Sequence, residues 1–177
     1  MGASKASIPF AGAPLIERPL RAAREGRLQA VVVAKPQTVL PPLDVPVWQE
    51  PEEPSHPLTG VVAALERAQG PVVVCSCDLP FLAPALLSHL AGRTEPLVVI
   101  EAGGRLHPLI GRYSHELTDA LRAARDEERP LQEVVAELGA VRITDPKLRR
   151  YGDPERLVFN VNTPADLARA EEMLRPV

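Results

Sequence analysis

The chain has little cysteine, no excess of positive charge and no long apolar run, and each shortage excludes something. There are only two cysteines in 177 residues, Cys75 and Cys77. They stand one residue apart at the end of one apolar run, where a bridge between them would be strained. A disulfide framework is therefore not expected, and a thiol-based zinc site would need more ligands than these two. We expect free thiols and a cytoplasmic protein. Net charge is −3, which argues against a nucleic-acid-binding domain. The longest apolar runs fall far short of a bilayer span. The first twenty residues lack the uninterrupted apolar core of a signal peptide. Neither nucleic acid nor membrane is expected as a partner.

What is present is a folded, proline-rich chain. Hydrophobic residues make up 45% and proline contributes 20 residues. That content supports a globule with one core, and the length suits a single domain over 1–177. Apolar runs alternate with amphipathic segments. Strands are expected at Ala30–Ala34, Val45–Trp48, Pro71–Cys75, Pro96–Glu101, Leu106–Tyr113, Ala140–Thr144 and Leu157–Val161. Helices are expected at Leu15–Gly26, Gly60–Ala68, Ala83–Ala91, Ser114–Ala124, Pro130–Leu138 and Pro164–Leu174. The last has a well-formed start: Thr163 as N-cap, Pro164 in the first helical position, and Asp166 three residues after the cap. The alternation predicts an α/β fold, Rossmann-like, with a mostly parallel sheet and helices on both faces. Chains of this class usually open on a buried strand feeding a Gly-rich phosphate turn. Here Met1-Gly2-Ala3-Ser4-Lys5 runs straight towards a helix, so the sheet is expected to show a gap beside Ala30–Ala34 or Pro71–Cys75.

The most informative stretch is Pro71-Val72-Val73-Val74-Cys75-Ser76-Cys77-Asp78-Leu79-Pro80. A buried strand ends abruptly in one carboxylate. Ligands of open parallel sheets collect beyond the carboxyl ends of the strands. An Asp at that edge either holds a hard cation such as Mg²⁺ or caps the following turn. The segment alone leaves both open. The Gln49–Thr59 loop is acidic, proline-rich and too long for a simple turn, and loops of this kind often carry function.

Several segments together resemble the MobA-like nucleotidyltransferases, and among them the molybdenum cofactor guanylyltransferases. Met1-Gly2-Ala3-Ser4-Lys5-Ala6 resembles the end of that family's signature loop, although the preceding Leu-Ala-Gly-Gly is absent and Ser4 replaces the usual acid. His56-Pro57-Leu58-Thr59-Gly60 resembles its Gly-Pro-Leu-x-Gly element, with His56 in place of Gly. Cys77-Asp78-Leu79-Pro80 matches Cys-Asp-x-Pro. His107-Pro108-Leu109 and Asn160-Val161-Asn162-Thr163-Pro164-Ala165-Asp166 match later signatures.

The resemblance implies a nucleotide-diphospho-sugar transferase-like fold lacking its first strand. It implies transfer of GMP from GTP to molybdopterin with release of pyrophosphate, dependent on Mg²⁺. Lys5 and Asp78 are then the catalytic candidates, with Asp78 the metal ligand. Gly2, Lys5, Glu50 and Asp78 would meet the nucleotide. His107, Asn160 and Asn162 would meet the acceptor. Transient contact with other molybdenum cofactor biosynthesis proteins is a further implication. A related CTP-dependent or other MobA-like nucleotidyltransferase is the alternative, or a non-catalytic nucleotide- or partner-binding domain, since the phosphate loop is absent. Translation starting upstream of Met1 would account for the truncated motif.

Overall fold

The computed structural model describes residues 5–175. After a 3-10 turn at Lys5–Ser7 comes a small antiparallel pair, β1 (Pro9–Phe10) and β2 (Ala13–Pro14), then helix α1 (Glu17–Glu25). Strand β3 (Val32–Ala34) pairs in parallel with β4 (Val47–Gln49). Helix α2 (Pro57–Ala68) leads to β5 (Val72–Cys75), α3 (Pro84–Ala91), β6 (Leu97–Ala102) and β7 (Arg105–Tyr113). A 3-10 turn at His115–Leu117 precedes α4 (Thr118–Asp126), α5 (Leu131–Glu137), β8 (Val141–Ile143), α6 (Asp145–Leu148), α7 (Pro154–Leu157) and α8 (Pro164–Leu174). Among the described residues no helix is long and apolar enough to cross a membrane.

The main sheet has the order β5-β7-β6-β8. Its alternation divides the core into two layers, because successive side chains leave a strand on opposite faces. From β6, Val98 and Ile100 pack with Leu86, Leu87 and Leu90 of α3. Leu97 and Val99 face the other way, towards Leu58, Val62 and Leu65 of α2 and Leu121 of α4. Helices therefore cover both faces, as an α/β fold requires.

The sheet is mixed: β7 runs antiparallel to both β5 and β6, whereas β6 and β8 are parallel. The reason lies in Gly103-Gly104. Both glycines have positive φ, +56° and +73°. They join Ala102 to its register partner Arg105 in a two-residue hairpin, the connection that a positive φ at both central residues favours. The strand expected at Leu157–Val161 is not formed. Asp153 caps a short helix instead, its side chain accepting from Glu155 N–H, with Pro154 opening α7. The chain then runs without regular structure to Thr163.

The sheet is interrupted where its gap was expected. Among the described residues β5 pairs only with β7, and β3 only with β4, so the two ladders remain separate. All four residues of β5 are only partly buried despite being apolar, in contrast to the buried β6 run Leu97–Ile100. A strand with one unpaired edge leaves its flank open to water.

Candidate active site

The site grows from the end of β5. Past Cys75, Ser76 N–H still donates to Leu109 O at 3.1 Å, which holds the chain to β7 for one more residue. The chain then turns, and Asp78 follows with only 7% of its surface exposed. It is the one buried carboxylate among the described residues. Ser76 Oγ donates to Asp78 Oδ1 at 2.6 Å. Lys5 Nζ lies 3.6 Å from Oδ2. A cation and a hydroxyl thus offset the desolvation of the charge.

The second wall is the loop before α8. Val161 N–H donates to Asp78 O at 2.9 Å, which fixes this loop against the strand end. Its far side is fixed by the capping box that the sequence predicts. Asp166 N–H donates to Thr163 Oγ1 at 3.1 Å, and Thr163 N–H returns to Asp166 Oδ2 at 2.8 Å. Asn162 N–H donates to the same carboxylate oxygen at 3.0 Å. The Thr163 hydroxyl and these two N–H groups hold the Asp166 carboxyl below its ordinary range. With the backbone so fixed, Asn162 Oδ1 accepts from Lys5 Nζ at 2.5 Å. Lys5, Asp78 and Asn162 therefore converge, although 157 residues separate Lys5 from Asn162. Asn160 is exposed on the other side of Val161.

The remaining candidates lie apart from this group. Gly2 lies outside the described residues. His107 is half-buried near the start of β7, opposite Ile100, and burial lowers its pKa. Among the described residues no hydrogen bond joins it to Lys5, Asp78 or Asn162. Glu50 follows β4, where its N–H donates to Ala34 O at 3.0 Å. Its carboxylate rests against the first turn of α2, so close that a Cβ on Gly60 would meet Oε2 at 2.7 Å. Burial raises the Glu50 pKa, and Lys35 opposes the shift.

The Glu50 shift has a sign that can be tested. An acid whose pKa rises on folding takes up a proton, so stability falls as pH rises past the unfolded value of about 4.3. Glu50→Gln should raise Tm at pH 7 by about 1–2 °C and leave it unchanged at pH 4. Thermal denaturation at the two pH values checks this.

Ser76 is the residue that sequence reading overlooked. A hydroxyl two places before a carboxylate at a turn can bond it locally, and that spacing was the available signal. The thiols are chemically quiet. Burial, with Cys77 nearby, pushes Cys75 up to about 12. Burial and the neighbouring Asp78 raise Cys77 as well. Both stay protonated at neutral pH, so thiolate nucleophiles play no part. Among the described residues no three His, Cys, Asp or Glu side chains converge as a metal cluster. An ion at Asp78 would draw most of its ligands from water and substrate. The arrangement suits charge neutralisation and positioning of anions rather than covalent catalysis.

Comparison with known proteins gives this geometry a context. The model of the MobA-like NTP transferase domain matches residues 1–142. The molybdenum cofactor guanylyltransferase of Cereibacter sphaeroides is 34% identical over 185 residues, spanning 98% of this chain and 90% of its own. The crystal structure of molybdopterin-guanine dinucleotide biosynthesis protein A from Archaeoglobus fulgidus is 26% identical, with TM-score 0.75 over 97% of this chain and 91% of that one. The 2-C-methyl-D-erythritol 4-phosphate cytidylyltransferase of Thermus thermophilus, 21% identical with TM-score 0.69 over 97% of this chain and 94% of that one, shares the fold.

Proposed function

The chain belongs to the MobA-like NTP transferase family, and from that premise we propose that it transfers GMP from GTP to molybdopterin. A phosphate oxygen of the acceptor attacks the α-phosphorus of GTP. The bond from that phosphorus to the oxygen bridging to the β-phosphate breaks, and pyrophosphate leaves with the electron pair. The reading is carried by the convergence of Lys5, Asp78 and Asn162 at the carboxyl end of β5. It is supported by relatives named for guanylyl transfer over most of this chain.

Mg²⁺ fits the donor set. One buried carboxylate, with one oxygen bonded to Ser76 and the other 3.6 Å from an ammonium, suits an ion that keeps several waters and takes phosphate oxygens as further ligands. Asp78 would hold it, with Lys5 and the Asn162 amide that bonds it alongside; when bound, the ion neutralises phosphate charge. Lys5 places a mobile point charge where pyrophosphate charge develops. Asn162 orients that ammonium through its amide oxygen. Glu50 supplies an acceptor for guanine, whose N1–H and N2–H₂ form a paired donor edge that cytosine and adenine lack.

The test is pyrophosphate release from GTP and molybdopterin with Mg²⁺ by the full chain, with CTP in parallel. We expect GTP-dependent release, lowered about 100-fold in Lys5→Ala through loss of one charge-assisted contact. No turnover with either nucleotide would sink the enzymatic reading. Preference for CTP would overturn the guanylyl assignment.

A further inference from the structure

The three phenylalanines of the chain meet in one place, and arginines lie over them. Phe10 and Phe81 stack edge to face at 6.2 Å, and Phe81 and Phe159 lie 6.2 Å apart. Arg18 of α1 sits 5.4 Å from the Phe10 ring centre, and Arg156 of α7 sits 4.6 Å from that of Phe81. A guanidinium laid on an aromatic face has its plane fixed and keeps its in-plane N–H donors facing outward. Arg18 uses Nε on Pro80 O at 3.3 Å, leaving its two terminal nitrogens.

Like Arg21, Arg67 and others, these two have no carboxylate partner among the described residues; the shared aromatic cluster is what sets them apart. Arg93, Arg122, Arg125, Arg129 and Arg142 each pair with a carboxylate. Among the described residues neither Arg18 nor Arg156 has one within ion-pair distance. They are close enough to repel: burial, then Arg21, then Arg156 lower the Arg18 pKa, and Glu25, two turns along α1, offsets part of this. Like charges gathered with only partial compensation favour an incoming anion. The pair also borders the site. Pro80 lies two residues after Asp78, and Phe159 immediately precedes Asn160.

We propose that Arg18 and Arg156 form a phosphate subsite for the acceptor, holding its phosphate monoester beside the Asp78 turn. This rests on the transferase reading above. Two anions must approach each other in the reaction. Lys5 serves the triphosphate, and the arginine pair supplies charge for the second anion. Arg169 lies over Phe159 at 5.4 Å but acts on Asp166 one turn back, so it is left out of the pair.

Two measurements on the full chain test the proposal. In steady-state transfer, Arg18→Gln and Arg156→Gln should each raise KM for molybdopterin about tenfold, and together about 100-fold. KM for GTP should stay within twofold, and the double Lys variant should recover part of the loss. A rise in GTP KM with acceptor KM unchanged would reassign the pair to the triphosphate and overturn the proposal. In the second measurement, inorganic phosphate is titrated against the arginine Nε–Hε NMR signals. Saturable shifts of the Arg18 and Arg156 signals, with the Arg18 shift lost in Arg156→Gln and the Arg156 shift lost in Arg18→Gln, support the subsite. Absence of shifts overturns it even if transfer is intact. If the chain forms no product from molybdopterin, the transferase reading fails, the acceptor assignment falls with it, and the titration alone decides whether a phosphate subsite exists.

Discussion

Asp78→Ala should lower transfer by about three orders of magnitude and leave the fold standing. The rate expectation follows from the role proposed for this carboxylate. It is the one buried acid among the described residues, and no group of three His, Cys, Asp or Glu side chains converges among them to hold an ion in its place. Loss of a group that organises charge in the transition state costs about 4 kcal/mol, or roughly a thousandfold. The stability expectation follows from the backbone. The contact that fixes the Asn160–Asn162 loop is made by the carbonyl of residue 78, not its side chain, and Ala keeps it. Removing a charge from a site 7% exposed also removes its desolvation cost, while Ser76 Oγ loses one acceptor. Asp78→Asn separates charge from shape: the amide oxygen can still accept from Ser76, yet transfer should fall about as far. Pyrophosphate release and Tm are the measurements. Activity within tenfold of the parent in both variants would refute the metal role, and loss of folding would show that the side chain is structural.

How far the site was legible depends on how local its determinants are. The capping box at Thr163 and Asp166 is contained within four residues and formed as read. Asp78 at a strand end was legible because an apolar run stops there. The closeness of Lys5 to Asn162 was not legible from any local pattern; only the family resemblance placed both in one site. The strand directions failed for a related reason. Leu106–Tyr113 fits the strand–helix alternation of a parallel sheet, but its direction is set locally by Gly103-Gly104, whose positive φ values turn the chain straight back onto β6. The Leu157–Val161 expectation rested on Leu157, Val158, Phe159 and Val161, residues that favour strands. The Asp153-Pro154 cap overrode that preference. The arginine pair was hidden because Arg18 and Arg156 are 138 positions apart in sequence, and a lone arginine on a helix reads as a solvated face.

The other large effect expected is structural, and it reaches the site through β7. Gly111→Ala should destabilise the fold by about 3–4 kcal/mol and lower Tm by about 10 °C. Gly111 sits in the central strand, opposite Val74 on one side and Val99 on the other, beside the irregularity at Val99/Ile100. A Cβ there would lie 2.6 Å from Val98 O and 3.1 Å from Val99 Cγ1. The nearer atom is backbone of the fully buried Val98, so no side chain can turn aside; β6 and β7 must part. Gly104→Ala is the matched control. It has φ +73° with open space around the added atom, so it should cost about 1 kcal/mol of backbone strain and no more. Parting β7 from β6 also shifts Leu109, whose carbonyl holds Ser76 N–H and thereby sets where Asp78 emerges. Any Gly111→Ala protein that stays folded should therefore lose transfer by more than its unfolded fraction explains. Circular dichroism melts of both variants, with activity measured well below Tm, decide the point. A Gly111→Ala protein melting within 2 °C of the parent would show that the sheet yields here at little cost.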